Sequence, residues 1–337
     1  MAFWVESRCA VDKSKKIWRK NLIKTLTLGV FLLLLSFTFD AYNQGQLALV
    51  LMLFIGVLSL TGLTGASGQI SLGQGALMAV GGYSSASLIT HLGASIWIAF
   101  LVAIIAAGLF GLILGAAAAR LSGPYLAGTT LVIALALPSV ANRFESVLGG
   151  DVGLIVDFGM PPTWLSNLIE VGYEQWQLWV SLPVALIALF FISNLMAARA
   201  GRSWQAVRDD EIGAAVSGIP VARTKVIVFV VSSAIAGLGG ALYGLRGLVG
   251  PSVYPVSLSL TLLTAAILGG VGSISGAFIG TLIVVFLPDL IDWAISGLSV
   301  SEQVSNFLPA LITGVLLLAT IIINPAGVLG SHHRGKH

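Results

Sequence analysis

Charge is scarce in this sequence. Of its 337 residues, 9% are Asp, Glu, Lys or Arg, whereas a soluble domain carries roughly 25%, so most of the chain has no means of facing water. Cysteine is nearly missing: Cys9 stands alone, which excludes an internal disulfide. No G-x-x-x-x-G-K-[ST] run occurs, so there is no P-loop to hold ATP, and energy for any work must come from another polypeptide. No Asp, Glu, Lys, Arg or His falls in the middle of an apolar segment. Proton-driven carriers rely on such intramembrane titratable groups, and a membrane-embedded enzyme would need a catalytic cluster at that depth. The net charge of +3 is no nucleic-acid signal, and no cofactor or metal is implied; His332, His333 and His337 read as a solvated tail.

What the chain has instead is apolar length. Hydrophobic residues make up 57% of it, and the mean hydropathy is +0.98. The 40 glycines fit a membrane interior, where small residues let helices approach closely. Each bilayer crossing takes about 20 mostly apolar residues. Such segments fall at 22–39, 47–63, 71–90, 95–119, 124–141, 176–196, 226–248, 257–270, 274–294 and 306–323. The expected fold is an all-α integral membrane protein with about ten transmembrane helices.

Sidedness follows from the cations. With Arg8, Lys13, Lys15, Lys16, Arg19, Lys20 and Lys24 in the cytoplasm, ten crossings put Arg120, Arg199, Arg202, Arg208, Arg223, Lys225, Arg334 and Lys336 inside. Only Arg143 and Arg246 fall outside. The carboxylates lean the other way: Asp40, Glu145, Asp151, Asp157, Glu170, Glu174, Asp289, Asp292 and Glu302 are all external. Trp18 and Trp204 are expected at the inner interface, and Trp97, Trp164, Trp176, Trp179 and Trp293 at the outer one. The basic start before Leu26–Phe39 looks like a secretory signal, but Asp40–Gln46 offers no small-residue cleavage site, so the helix is read as retained. The expected organisation is a basic cytoplasmic segment 1–24, a ten-helix membrane domain 25–325 and a cytoplasmic tail 326–337.

Two loops are elaborated. The external stretch 142–175 holds Gly149-Gly150-Asp151-Val152-Gly153 and the turn-forming pair Pro161-Pro162. The internal stretch 197–225 has the marks of two short helices. Ser203 can cap the first, and Asp209 or Asp210 the second, with Glu211 in its first turn favoured by the helix dipole. Gly218 suits the left-handed position that closes it, and Pro220 stops it resuming. Ala214 and Ala215 make its middle small enough for a partner's groove to accept the backbone. A plain solvated loop would need none of these caps.

The run Gly65-Ala-Ser-Gly-Gln-Ile-Ser-Leu-Gly-Gln-Gly75 has too many glycines for a continuous helix. Irregular backbone at membrane depth is tolerated where protein covers it or where it lines a cavity. Ser67, Ser71, Gln74 and Met78 recur at helical spacing, and a helix start here would offer backbone N–H groups to a carboxylate. Ser71, Gln74 and Gly75, with Tyr125, Thr129 and Thr130 on the fifth helix, are candidates for a substrate pathway; tight small-residue packing is the alternative reading.

Glu211-x-x-Ala214-Ala215-x-x-Gly218 resembles the coupling loop of ABC importer permeases, which docks on the ATPase subunit. Further along, Ser71-Leu-Gly-Gln-Gly-Ala76, Gly123-Pro-Tyr-Leu-Ala127, Gly149–Leu154, Ala236-Gly-Leu-Gly-Gly-Ala-Leu-Tyr243 and Leu268-Gly-Gly-Val-Gly-Ser-Ile-Ser-Gly276 stand in the order typical of LivM-type permeases. These are the branched-chain amino-acid importers, with urea permeases as close relatives. Two positions depart from the pattern: Gln74, where histidine is frequent, and Asp151-Val152, where a Gly-Gly-Ser/Thr-Asn-Gly run is frequent. The resemblance implies a permease subunit of an ATP-driven importer in a bacterial or archaeal plasma membrane. Its partners would be a LivH-type permease, two ATPase subunits and an external substrate-binding protein, with urea or short amides as the rival substrate. It also implies that Arg208, Asp209, Asp210, Glu211, Ala214, Ala215 and Gly218 engage the ATPase.

Overall fold

Apolar runs bounded by glycine, proline and Asx residues become helices throughout. The computed structural model describes residues 2–121, 123–157, 159, 161, 171–295 and 302–323. Pro162, Trp164, Glu170 and the tail 326–337 lie outside the described residues. In chain order the helices are α1 (Ala2–Ser36), α2 (Ala41–Leu60, continued by a π-helical turn Thr61–Ala66), α3 (Gln74–Leu92), α4 (Ile96–Ala118), α5 (Pro124–Arg143) and α6 (Glu145–Leu148). Strand β1 (Leu154–Asp157) precedes α7 (Tyr173–Ala197), α8 (Arg199–Asp209), α9 (Glu211–Val216) and α10 (Val221–Gly244). Strand β2 (Arg246–Val249) leads to α11 (Val256–Gly269), α12 (Ile274–Ile295) and α13 (Glu302–Ile323). Each of the ten apolar segments is helical, and six spans are long and apolar enough to cross a membrane: 41–66, 96–118, 124–143, 173–197, 221–244 and 274–294. Among the others, α11 has 14 residues, about 21 Å of helix against a hydrocarbon core of about 30 Å.

Contacts between segments distant in sequence sort the loops to two ends. At one end the Tyr42 hydroxyl donates to Asp289 Oδ1 at 2.8 Å. At the other, Arg208 Nη1 donates to the Gly65 carbonyl at 2.7 Å, Gly272 packs against Gly65, and Lys225 Nζ lies 2.6 Å from Glu211 Oε1. The stretch from Tyr42 to Gly65 is helical and spans about 35 Å, close to the depth of a bilayer core. The helix α10 runs from Lys225 away from that second end to the strand pair, where Leu154 sits opposite Val249 and Asp157 opposite Arg246. Tyr42 and Asp289, both expected outside, thus meet each other, and Arg208, Glu211 and Lys225, all expected inside, gather near Gly65.

The core centres on α2, which is buried from Leu47 to Leu63 apart from Leu49. Its flanks are covered by α7, α10 and α12, while α10 also packs on α3 and α4. Glycine sets these crossings. A Cβ on Gly240 would sit 1.8 Å from the Met78 carbonyl oxygen, and one on Gly81 2.1 Å from that of Gly237. The turn between α11 and α12 closes the same way, with Gly269 1.9 Å from the Gly276 carbonyl oxygen by that construction. Two of the glycine motifs are thus helix crossings.

Three expectations need correction. The helix expected over 226–248 stops at Gly244, because Gly247 takes a φ of +137° and residues 246–249 pair with β1 instead. The apolar segment expected from 71 becomes helical only at Gln74. Trp204, expected at the membrane interface, is 2% exposed, on the face of α8 that packs against protein.

Candidate functional site

The interruption between α2 and α3 is held open by side chains rather than left slack. Gly68 takes a φ of +72°, open to glycine without steric penalty. The Thr64 hydroxyl donates to the Gln69 carbonyl at 3.0 Å, the Ser67 hydroxyl to the Leu63 carbonyl at 2.6 Å, and Gln69 Nε2 to Ser67 Oγ at 2.9 Å. Ser67 and Ser71 precede α3, so the helical spacing that grouped them with Gln74 and Met78 does not apply.

Three of the backbone N–H groups expected to be open to a carboxylate are filled by hydroxyls. Leu72 N donates to Thr130 Oγ1 at 3.0 Å, Gly73 N to Ser71 Oγ at 3.3 Å, and Gly75 N to Ser259 Oγ of α11 at 2.9 Å. Gln74 is fully buried, and its Nε2 donates to Ser59 Oγ of α2 and to Ser232 Oγ of α10. Ser71, Gln74 and Gly75 therefore belong to one neutral, protein-covered polar cluster.

Tyr125 and Thr129 stand apart from that cluster. Tyr125 is 78% exposed on the outer face of α5, and the Thr129 hydroxyl donates back to the Tyr125 carbonyl at 2.8 Å. Their neighbour Thr130 is the α5 residue that reaches the break. Sequence reading missed Ser59, Ser232 and Ser259: lone serines in apolar helices carry no spacing signal. A larger cavity, about 570 Å³, lies between α3, α5 and α6, lined by Val80, Leu88, Leu137 and Val147 with Tyr83 and His91. His91 Nε2 is 3.4 Å from the Val147 carbonyl oxygen.

Below the break sits the pair α8–α9. Ser203 lies inside α8 and donates to the Arg199 carbonyl at 3.2 Å, so it is not the cap expected there; Ala198 occupies that position. Asp210 is the cap of α9, its Oδ1 accepting from Ile212 N at 2.9 Å. Gly218, at φ +81°, closes α9, and Ile219 N donates back to the Ala214 carbonyl at 3.0 Å. The two alanines part company: Ala214 is buried against the bundle, whereas Ala215 is exposed. Ile212 and Val216, 78% and 86% exposed, flank Ala215 to make an uncovered apolar ridge, as their spacing on one helical face dictates.

The charged residues of this pair point inward as well as outward. Arg208 bonds Asp209 Oδ1 at 2.9 Å and the Gly65 carbonyl at 2.7 Å. Lys225, its side chain 8% exposed, is neutralised by Glu211. Ser67, Gln69, Arg208, Glu211 and Lys225 line one small polar cavity of about 70 Å³, so the α8–α9 pair and the helix break meet directly.

Residues 44–323 match the family described as branched-chain amino acid transport system / permease component. The chain belongs to that family. It is therefore a multi-pass membrane permease component. Among individual relatives, LivM, the high-affinity branched-chain amino acid transport system permease protein of Escherichia coli K12, is 28% identical over 81% of this chain and 66% of its own length. LivH of Salmonella typhimurium, named as a permease protein of the same kind of system, is 25% identical over 79% of this chain and 87% of its own. The L-arabinose transport system permease protein AraH of Escherichia coli K12 is 28% identical over 47% of this chain and 48% of its own. The permease thus spans a little under two thirds of LivM. No solved structure is a significant match.

Proposed function

We propose that this permease is the translocating subunit of an ATP-driven importer for branched-chain, hydrophobic amino acids. ATP hydrolysis would lie on separate subunits that dock on α8 and α9; an external binding protein would deliver solute, and a LivH-type permease would complete the pathway. The observation that carries this reading is the apolar ridge Ile212–Ala215–Val216, uncovered on a capped helix whose neighbouring charges reach the helix break. The sorting of loops to two ends supports ten crossings with both termini in the cytoplasm of a bacterial or archaeal cell. We further read Ser71, Gly75, Tyr125 and Thr129 as pathway residues, while Gln74, fully buried between Ser59 and Ser232, is read as packing that borders the pathway without touching solute. All are uncharged, which suits a solute of no net charge. Urea or a short amide fits the neutral cluster equally well, and the names LivM and LivH favour the amino acids.

The test is ATP-dependent uptake by proteoliposomes carrying the complex purified on a tagged copy of this chain, with its binding protein. Labelled leucine, urea and arginine are offered. Leucine uptake is expected; urea without leucine would reverse the substrate assignment, and arginine alone would refute the neutral-lining argument. Ala215→Asp is expected to insert normally but lose the ATPase, because an unpaired charge would be buried at the docking surface. Full retention of the ATPase by that variant would reduce residues 203–218 to a loop.

A further inference from the structure

Two lines of contact leave the coupling helices and come together again inside the bundle. One runs from Arg208 of α8 to the Gly65 carbonyl in the π-turn of α2. Six residues back along that segment, about 9 Å, is Ser59. The other runs from Glu211 of α9 to Lys225 near the start of α10, and seven residues on, about 10 Å, is Ser232. The two serines belong to different helices, and Ser232 Oγ donates to the Ser59 carbonyl at 2.9 Å. Gln74 Nε2, at the first residue of a third helix, donates to both hydroxyls.

The hydrogen-bond bookkeeping fixes the amide. Ser59 Oγ donates to the Gly56 carbonyl and Ser232 Oγ to the Ser59 carbonyl, so both hydroxyl protons are committed and both oxygens are left to accept. The Gln74 NH2 group must face them. Its Oε1 then points away, buried and without a donor among the described residues. A buried acceptor without a donor favours any rearrangement that brings one to it.

We propose that Gln74 is a positioning residue that locks α2, α3 and α10 together in the resting permease, and that displacement of the coupling helices releases it. The proposal rests on the coupling reading of residues 203–218. Close-packed helices move as rigid bodies, so a shift of α8 and α9 is carried up α2 through Gly65 and up α10 through Lys225. Ser59 and Ser232 need not move equally, and Gln74 keeps both bonds only while their spacing holds. Contiguity by itself is not coupling, so the test measures coupling.

Gln74→Met keeps the length of the side chain and removes both bonds. In proteoliposomes holding the full complex, it should assemble with the ATPase as the parent does. ATP hydrolysed per solute moved should rise roughly ten-fold, within the usual span of coupling effects. Gln74→His, which can place a ring N–H at a similar reach, should bring the ratio back toward the parent. Adding Arg208→Met to Gln74→Met should raise the ratio by less than the product of the single effects, as residues on one line behave. A parental ratio in Gln74→Met, or fully multiplicative effects, would overturn the proposal. Should Gln74→Met fail to reach the membrane, Ser232→Ala decides: a raised ratio supports the lock and a parental one overturns it. If Ala215→Asp loses the ATPase while Gln74→Met couples normally, the lock alone is wrong; if Ala215→Asp keeps the ATPase, the docking reading has failed first.

Discussion

Glu211 and Lys225 offer the sharpest energetic test, because the pair is lopsided. The Lys225 side chain is 8% exposed and that of Glu211 50%. Removing the partner of a fully buried charge costs about 3–5 kcal/mol, but water already screens half of this carboxylate, which lowers the expectation. For Glu211→Gln we expect the docking of α9 on the bundle to weaken by about 1–3 kcal/mol. Lys225→Met keeps the apolar stem and removes the charge, so its effect should be smaller. The double variant should behave like Lys225→Met, since no ammonium is then left unpaired. Ala214, on the buried face of α9 at 4% exposure, supplies the readout: as a single cysteine in a Cys9→Ala background, it reacts with maleimide only when α9 opens. At 1.4 kcal/mol per factor of ten, labelling of the purified permease should accelerate roughly 5- to 150-fold in Glu211→Gln. An unchanged rate, or a double variant that labels as fast as Glu211→Gln, would refute the reasoning.

Two further outcomes are expected. Single cysteines at Ile155 and Ile212, 79% and 78% exposed, should label from opposite sides of the membrane in a Cys9-free background; labelling of both from outside intact cells would sink the ten-crossing arrangement. In Gly240→Ala the new Cβ starts 1.8 Å from the Met78 carbonyl oxygen, so α3 and α10 must part by about 1.6 Å to reach ordinary contact and the thermal midpoint in detergent should drop, overpacking being worth about 1–3 kcal/mol, whereas Gly128→Ala, with nothing within 4 Å of its Cβ, should melt like the parent.

The helices, the break and the caps of α9 were legible because each leaves a local mark. Apolar runs mark the helices, the glycines of 65–75 mark the break, and Asp210 and Gly218 mark the two ends of α9. What escaped the sequence depends on which residues meet. Ser59, Ser232 and Ser259 come from three helices and gather around Gln74 and Gly75, and no spacing within any one helix announces that. The β1–β2 pair joins residues about ninety positions apart. The orientation of α5 was equally hidden: Tyr125 and Thr130 share a helix, yet one faces outward and the other reaches the break. Ala214 and Ala215 looked equivalent as a motif, and the packing of α9 separates them.

The division between charged and neutral polar groups has a mechanical consequence. Arg208, Glu211 and Lys225 carry full charges at the end of the bundle where Glu211 still reaches solvent. Farther in, at Ser59, Gln74, Ser232 and Ser259, every group is neutral. Moving an ion at membrane depth costs about 3 kcal/mol or more, whereas a neutral interhelical hydrogen bond there is worth about 0.6 kcal/mol on average. A switch that must reverse in every transport cycle needs states separated by a few kcal/mol, since a ligand moves a population only by its difference in affinity, about 5.5 kcal/mol for a nearly complete reversal. Neutral hydrogen bonds fall inside that range and buried ion pairs press against its edge. Charges suit the lever, where they hold α8 and α9 to the bundle, and amide and hydroxyl groups suit the lock. Replacing Gln74 by glutamate would set a buried carboxylate, an acceptor only, against hydroxyl oxygens whose protons are already committed, so both bonds would be lost and the lock should loosen at least as far as in Gln74→Met.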